Sequence, residues 1–192
     1  ADGEQFEPQK QNCGPVAGAI LENFPKEVEA ATSIAYFLGG PLYNGSVRFD
    51  DEILLADSLF FRTMGIEVLS GNPEDELVQP DVIFLSDRLA QKIFGGENPI
   101  GKVLSYNKEI AFTVKGTYAA LPENTTMRPE GVVSMPTAWS RSWGNYSWRG
   151  GDSYYEYIRF RPGADKEIIN ARLDDMIQKY RPEEDKKAYG YT

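Results

Sequence analysis

Residues 96 to 103 read G-E-N-P-I-G-K-V, one hydroxyl short of the G-x-x-x-x-G-K-[ST] loop that wraps nucleotide phosphates in backbone N–H groups. That chemistry needs a buried strand running into the glycine loop and a helix starting at once behind it, so that the helix N-terminus faces the phosphates. Here the order is reversed. D-R-L-A-Q-K-I-F-G-G, just before the loop, has helical spacing, and K-V-L-S-Y after it alternates like a strand. Val103 also lacks the hydroxyl that would hold magnesium. The segment reads as a helix end, a proline turn and a strand entry, and no nucleotide is expected on it.

Other chemistry is excluded by what the chain lacks. There is no histidine, which rules out Ser-His-Asp and Cys-His nucleophiles, HExxH zinc sites and histidine metal cages built from this chain alone. The single cysteine, Cys13 in Q-N-C-G-P, can form neither an internal disulfide nor a C-x-x-C pair. Its context is not that of a lipoprotein cleavage site, and one thiol leaves the compartment open. Asp50-Asp51-Glu52 and Asp174-Asp175 lack the alternating ligand spacing of a calcium loop and read as solvated acids. Ser86 has neither a nucleophile elbow nor a histidine partner, and helix capping accounts for it. Asn44, Asn124 and Asn145 fit the glycosylation acceptor pattern, which matters only in a eukaryotic secretory route. No pair of carboxylates stands in an environment that the sequence specifies. No catalytic, cofactor-binding or metal-binding residue is therefore assigned. The candidate contact residues are Trp139, Trp143 and Trp148, in the polar, glycine-punctuated stretch A-W-S-R-S-W-G-N-Y-S-W-R-G-G. They fit a stacking platform for a ligand or partner, or packing at a seam between two domains; burial is the commoner use of large aromatics.

The 29 acids and 20 bases give a net charge of -9, and the bases are scattered. No basic stripe exists to neutralise a phosphate backbone or an anionic bilayer, so nucleic acid and anionic membrane surfaces are disfavoured partners. At 192 residues, 41% hydrophobic and 26% charged, the chain can bury a full core as one domain or two small ones. No apolar run approaches the roughly 18 to 20 residues that span a bilayer. The opening A-D-G-E-Q-F-E-P is neither a signal peptide nor an initiator context, and the chain is expected to be a soluble piece of a larger protein.

Several elements must position these residues. Pro25 at a first helical position, with Glu27 and Glu29 behind it, predicts a helix from P-K-E-V-E that turns strand-like at S-I-A-Y-F and stops at G-G-P. Leu55, Leu59 and Phe60 predict a short helix ending near Gly65. V-I-F-L-S is a buried strand, and Ser86 caps the helix after it, where Leu89/Ile93 and Ala90/Phe94 pair at i,i+4. K-V-L-S-Y and E-I-A-F-T-V-K-G-T-Y form a hairpin about Asn107-Lys108. V-V-S-M-P-T reads as a strand, and S-Y-Y-E-Y-I-R-F as another with Tyr154, Glu156, Ile158 and Phe160 on one side. The amphipathic helix that follows carries Ile169, Leu173, Met176 and Tyr180 at i, i+4, i+7, i+11 and ends at Arg181-Pro182.

Three strings then stand in a specific order: F-F-R-T-M-G-I-E-V-L-S-G-N-P, V-I-F-L-S-D-R-L-A-Q-K-I-F-G-G-E-N-P-I-G-K-V-L, and F-T-V-K-G-T-Y-A-A-L-P-E-N-T-T. Together with F-P-K-E-V-E and Y-Y-E-Y-I-R-F-R-P-G-A-D on either side, they resemble the extracytoplasmic core domain of MacB/FtsX-type ABC transporter permeases, over residues from about 14 to 180. The resemblance implies an α+β fold: a discontinuous porter-like α/β domain, residues 1–49 and 131–192, with an inserted mixed α/β domain of the Sabre type at 50–130. At its ends the chain departs from the pattern, with no opening strand before the first helix and a closing strand only begun at A-Y-G-Y-T.

The resemblance further implies a non-catalytic domain without cofactors, on the periplasmic side of the inner membrane, held there by transmembrane helices outside residues 1–192. It would relay ATP-driven helix motion to export or to a periplasmic partner. The implied partners are a second permease chain in a homodimer, a cytoplasmic ATPase subunit or domain, and a periplasmic adaptor or outer-membrane component. The alternative from a different class is a stand-alone periplasmic module that binds peptide or glycan through Trp139, Trp143 and Trp148.

Overall fold

V-I-F-L-S holds five apolar or small residues in a row, which only a strand covered on both faces can bury. In the computed structural model, which describes residues 12–36, 38–148 and 153–180, this run lies near the middle of a mixed sheet with every residue buried. The chain begins with α1 (Val16–Asn23), β1 (Val28–Ala35), the hairpin β2 (Leu42–Asn44) and β3 (Val47–Phe49), and β4 (Ile53–Ala56). Then come α2 (Phe60–Met64), β5 (Val68–Ser70), α3 (Pro73–Glu76), β6 (Val82–Ser86) and α4 (Asp87–Phe94). The hairpin β7 (Val103–Tyr106) and β8 (Ile110–Tyr118), β9 (Gly131–Ser134), α5 (Met135–Ser140), β10 (Tyr155–Phe160) and α6 (Lys166–Tyr180) complete it.

The strand order is β10-β1-β4-β9-β6-β8-β7-β2-β3, with β5 along the far end of β8. The pairs β4–β9 and β6–β8 are parallel and the rest antiparallel. Alternation along each strand separates the cores. Ile53, Leu55, Ile83, Leu85 and Val133 face one side with α4 and α5. Leu54, Ala56, Val82, Phe84 and Val132 face the other, under Phe60 and Phe61 of α2. A third cluster joins α1 and α6 to β1 at one edge, through Ile20, Phe24, Val28, Ile169 and Met176. This is the α+β class expected from the sequence. Strands from residues 50–130 and from the flanking segments share the one sheet, β4 lying between β1 and β9.

Three local expectations are corrected. The helix foreseen from Pro25 is strand β1, and the helix stands earlier, at Val16–Asn23. Seven of the eight β1 residues are buried, because the strand is covered on both faces; burial of Val28, Thr32 and Ile34 outweighs the helical preference of the glutamates and alanines. Leu55 belongs to β4, and the short helix begins only at Phe60, ending as foreseen on Gly65 at φ +69°. V-V-S-M-P-T is a strand only as far as Ser134: Met135, Pro136 and Thr137 open the helix α5, with the proline in its first turn. The helix α4, the β7–β8 hairpin, β10 and α6 lie where the pattern puts them. Ser86 accepts the Leu89 N–H at 2.9 Å, and Asn107 and Lys108 both take the positive φ of a two-residue hairpin turn. Gly96 to Lys102 connects α4 to β7. The closing stretch A-Y-G-Y-T and Arg181-Pro182 lie outside the described residues.

Candidate functional site

Ser33 sits mid-strand in β1, directly opposite Glu156 of β10, on the side facing α1. Its Oγ is 2.7 Å from Glu156 Oε2 and 3.2 Å from the Gly14 carbonyl oxygen, and its backbone N–H donates to Asp57 Oδ2 at 2.8 Å. Asp57 follows β4 and takes two further donors, the Thr32 hydroxyl at 2.7 Å and the Leu59 amide at 2.9 Å, the latter opening the turn into α2. One serine thus ties together β1, β10, the approach to α1 and the end of β4. Both Ser33 and Thr32 are buried.

The two acids differ in charge state. Burial raises Asp57 above the usual aspartate value, against the pull of the Ser33 amide, the Thr32 hydroxyl and the Leu59 amide. Burial pushes Glu156 further, to about 8; the Ser33 hydroxyl and the Ala17 amide on the first turn of α1 draw it down, and the Asp57 charge draws it up. Asp57 ionises first, while Glu156 is still neutral, so their mutual repulsion falls on Glu156. Glu156 is therefore the last of the pair to give up its proton.

Tyr146 roofs the acids. Its ring rests on Gly14, where a Cβ would collide with it, and packs on Trp139 at a centroid distance of 4.3 Å. Burial raises the Tyr146 hydroxyl, with Asp57 and Glu156 adding to the effect. Trp139 and Trp143 pack against the core beneath α4 and α5, whereas Trp148 stacks on Tyr180 of α6 at 5.0 Å and 10° in the edge cluster. The three are divided between two packing clusters. Trp143 also meets Tyr106 at 6.3 Å, carries the Arg141 guanidinium over its ring at 5.7 Å, and walls an open cleft of about 420 Å³ with Leu38, Asn107 and Glu109.

A third acid, Glu130, pairs with Ser86 and Arg88, while the Tyr118 hydroxyl donates to the Pro129 carbonyl at 2.6 Å. These contacts fix the segment before β9 over the start of α4. Among the described residues no three acidic or thiol side chains gather as metal ligands, and no helix is long and apolar enough to cross a membrane. Asp50 pairs with Arg48 and Asp51 with Lys92. The enclosed acid pair can store a proton and clamp elements; it does not line the open cleft.

Ser33, Asp57 and Glu156 were not singled out by sequence reasoning. One signal was present: Glu156 is a carboxylate on the strand face it shares with Tyr154, Ile158 and Phe160.

The family model of the MacB-like periplasmic core domain matches residues 8–176. A domain of a protein described as a permease from Porphyromonas gingivalis is 27% identical, with a TM-score of 0.75 over 90% of this chain and 79% of that one. The periplasmic region of MacB from Actinobacillus actinomycetemcomitans has the same fold at 17% identity, with a TM-score of 0.67 over 88% of this chain and 74% of that one. So does the extracellular domain of the noncanonic ABC-type transporter YknZ from Gram-positive bacteria, at 13% identity and a TM-score of 0.61, over 96% of this chain and 88% of that one. No curated protein sequence matches. The ordered motifs, the mixed sheet and a match over most of the length agree: the chain belongs to the MacB-like periplasmic core domain family, the extracytoplasmic part of an ABC transporter permease.

Proposed function

We propose that this domain makes and breaks no covalent bonds itself, and relays ATP-driven motion of the permease's transmembrane helices to export or to a periplasmic partner. One observation carries the reading: both ends of the described chain fasten to the same edge of the sheet. Asn12 exchanges two backbone hydrogen bonds with Tyr154, at 2.8 and 3.2 Å. At the other end the Tyr180 hydroxyl accepts from Asn23 Nδ2 at 2.8 Å and donates to Glu22 at 3.2 Å. From that edge the hydrogen-bonded ladder runs unbroken from β10 to β3. At about 4.8 Å per strand it spans about 38 Å, so displacement of the α1–α6 edge is passed across the sheet as a body. The cytoplasmic ATPase, a second permease chain and a periplasmic adaptor or outer-membrane component are the partners this reading calls for.

The division into a porter-like unit at 1–49 and 131–192 and an insert at 50–130 is part of the same proposal. The edge cluster supports it, being built only from flanking residues, as does the α2 cluster, whose buried members come from 50–130 except Ile34 and Val132. The separation of Trp148 from Trp139 and Trp143 favours packing over a single stacking platform.

The test detaches α6. Met176 is 4% exposed in the edge cluster, while Ile168 on the same helix is 37% exposed. In the full-length permease, Met176→Asp is expected to leave ATP hydrolysis running while export falls at least tenfold, and Ile168→Asp to leave both unchanged. Export that persists in step with ATP hydrolysis in Met176→Asp, at normal membrane levels, would refute the relay.

A further inference from the structure

The hydroxyl of Ser33 has one hydrogen and two neighbours that only accept, the Gly14 carbonyl at 3.2 Å and, when ionised, the Glu156 carboxylate at 2.7 Å. Both contacts become hydrogen bonds only if a second hydrogen is supplied, and among the described residues the group placed to supply it is Glu156. We propose that Glu156 is a proton-binding site: a proton on Oε2 donates to Ser33 Oγ, Ser33 donates to Gly14, and the chain of two bonds latches the start of α1 to β1 and β10.

Loss of that proton reverses the direction of the first bond. Ser33 then donates to the carboxylate, the Gly14 carbonyl loses its donor, and a second negative charge is placed beside Asp57 across the same serine. Among the described residues, the titratable groups around Glu156 are Asp57 from the end of β4, Tyr154 from the start of β10 and Tyr146 from the loop above, with Cys13 beside Tyr146 ahead of α1. α1 brings only backbone amides, with no acid in its first turn. Burial sets the release near pH 8. Since Asn12 and Gly14 lead into α1 at the edge where the relay is engaged, the latch would stiffen the input at neutral and acidic pH and loosen it in alkali. This consequence for transport rests on the relay proposed above, whereas the proton itself is tested independently of it.

The experiment is a titration of this 192-residue chain labelled with ¹³C at glutamate Cδ, followed by NMR from pH 5 to 10, with amide exchange of α1 measured at each pH. One glutamate resonance is expected to titrate near pH 8 and to be missing in Glu156→Gln. Exchange of the Ala17 to Ile20 amides, corrected for base catalysis, is expected to rise at least tenfold through the same midpoint. Where Glu156→Gln fails to fold, Ser33→Ala serves instead and shifts the midpoint by removing the hydroxyl between the acids. Glutamates that all titrate below pH 6 would overturn the site. A midpoint near 8 with α1 exchange unchanged across it would overturn the latch.

Discussion

Gly116→Val is expected to leave the chain unfolded or insoluble, and Gly116→Ala to cost about 3 kcal/mol, the upper end of ordinary overpacking. Gly116 lies in β8 opposite Phe84 of β6. A Cβ there would enter the Phe84 ring and come 2.5 Å from the Ser70 carbonyl oxygen. Phe84 has no space to swing into, being fully buried against Phe61 at 5.5 Å. The Ser70 carbonyl is backbone in β5, and Gly71 behind it already packs on the Lys115–Gly116 backbone at φ +82°. Relief therefore needs β5 to part from β8, and with a total stability of about 5 to 15 kcal/mol the valine variant has little left. Urea midpoints followed by far-UV circular dichroism measure the alanine variant; a wild-type midpoint would mean that β5 does not approach β8 so closely. Gly18 gives the contrast. It is exposed in α1 with open space around its Cα, and Gly18→Ala is expected to stabilise by about 0.5 to 1 kcal/mol through helix propensity.

Glu156→Gln is expected to make the domain progressively more stable than the wild type as pH rises. Glu156 ionises at 4.5 when unfolded and at about 8 when folded, so between those values the folded state holds a proton that the unfolded state has released. Wild-type stability from this group is complete below pH 4.5, falls by at most about 1.4 kcal/mol per pH unit through the window, and is flat above 8. Glutamine carries no such slope. Relative to their difference at pH 4.5, the variant should gain on the order of 2 to 4 kcal/mol by pH 9. Asp57, also raised, adds a slope of the same sign at lower pH in both proteins. Urea midpoints at pH 5, 7 and 9 decide it: parallel curves would show that Glu156 ionises as an exposed glutamate does.

Much of this architecture was readable because several elements carry more than one signal. The helix after β6 has a serine cap, paired apolar residues and a glycine stop, and the β7–β8 hairpin has alternation on both sides of Asn107-Lys108. α6 presents Ile169, Leu173, Met176 and Tyr180 to the edge cluster as its spacing requires. β1 was misread because a strand buried on both faces has no period, and V-E-A-A-T-S-I-A offers small residues where a half-buried strand would alternate. α1 was overlooked because Gly18 weakens it and no side chain caps its start. The acid pair was illegible for a different reason. Asp57 and Glu156 approach only because β1 brings β10 to one side and β4 to the other, a long-range register that no local pattern encodes.

That arrangement also governs how the domain is made. β1 leaves the ribosome or translocon before its neighbour β10, with β2 to β9 made in between, and β4 leaves before its neighbour β9, with β5 to β8 in between. Such contacts give a high contact order, and a nascent chain cannot complete this sheet until β10 has been made. Until then the apolar β1 and β4 are open edges, and truncations before Tyr155 are expected to aggregate.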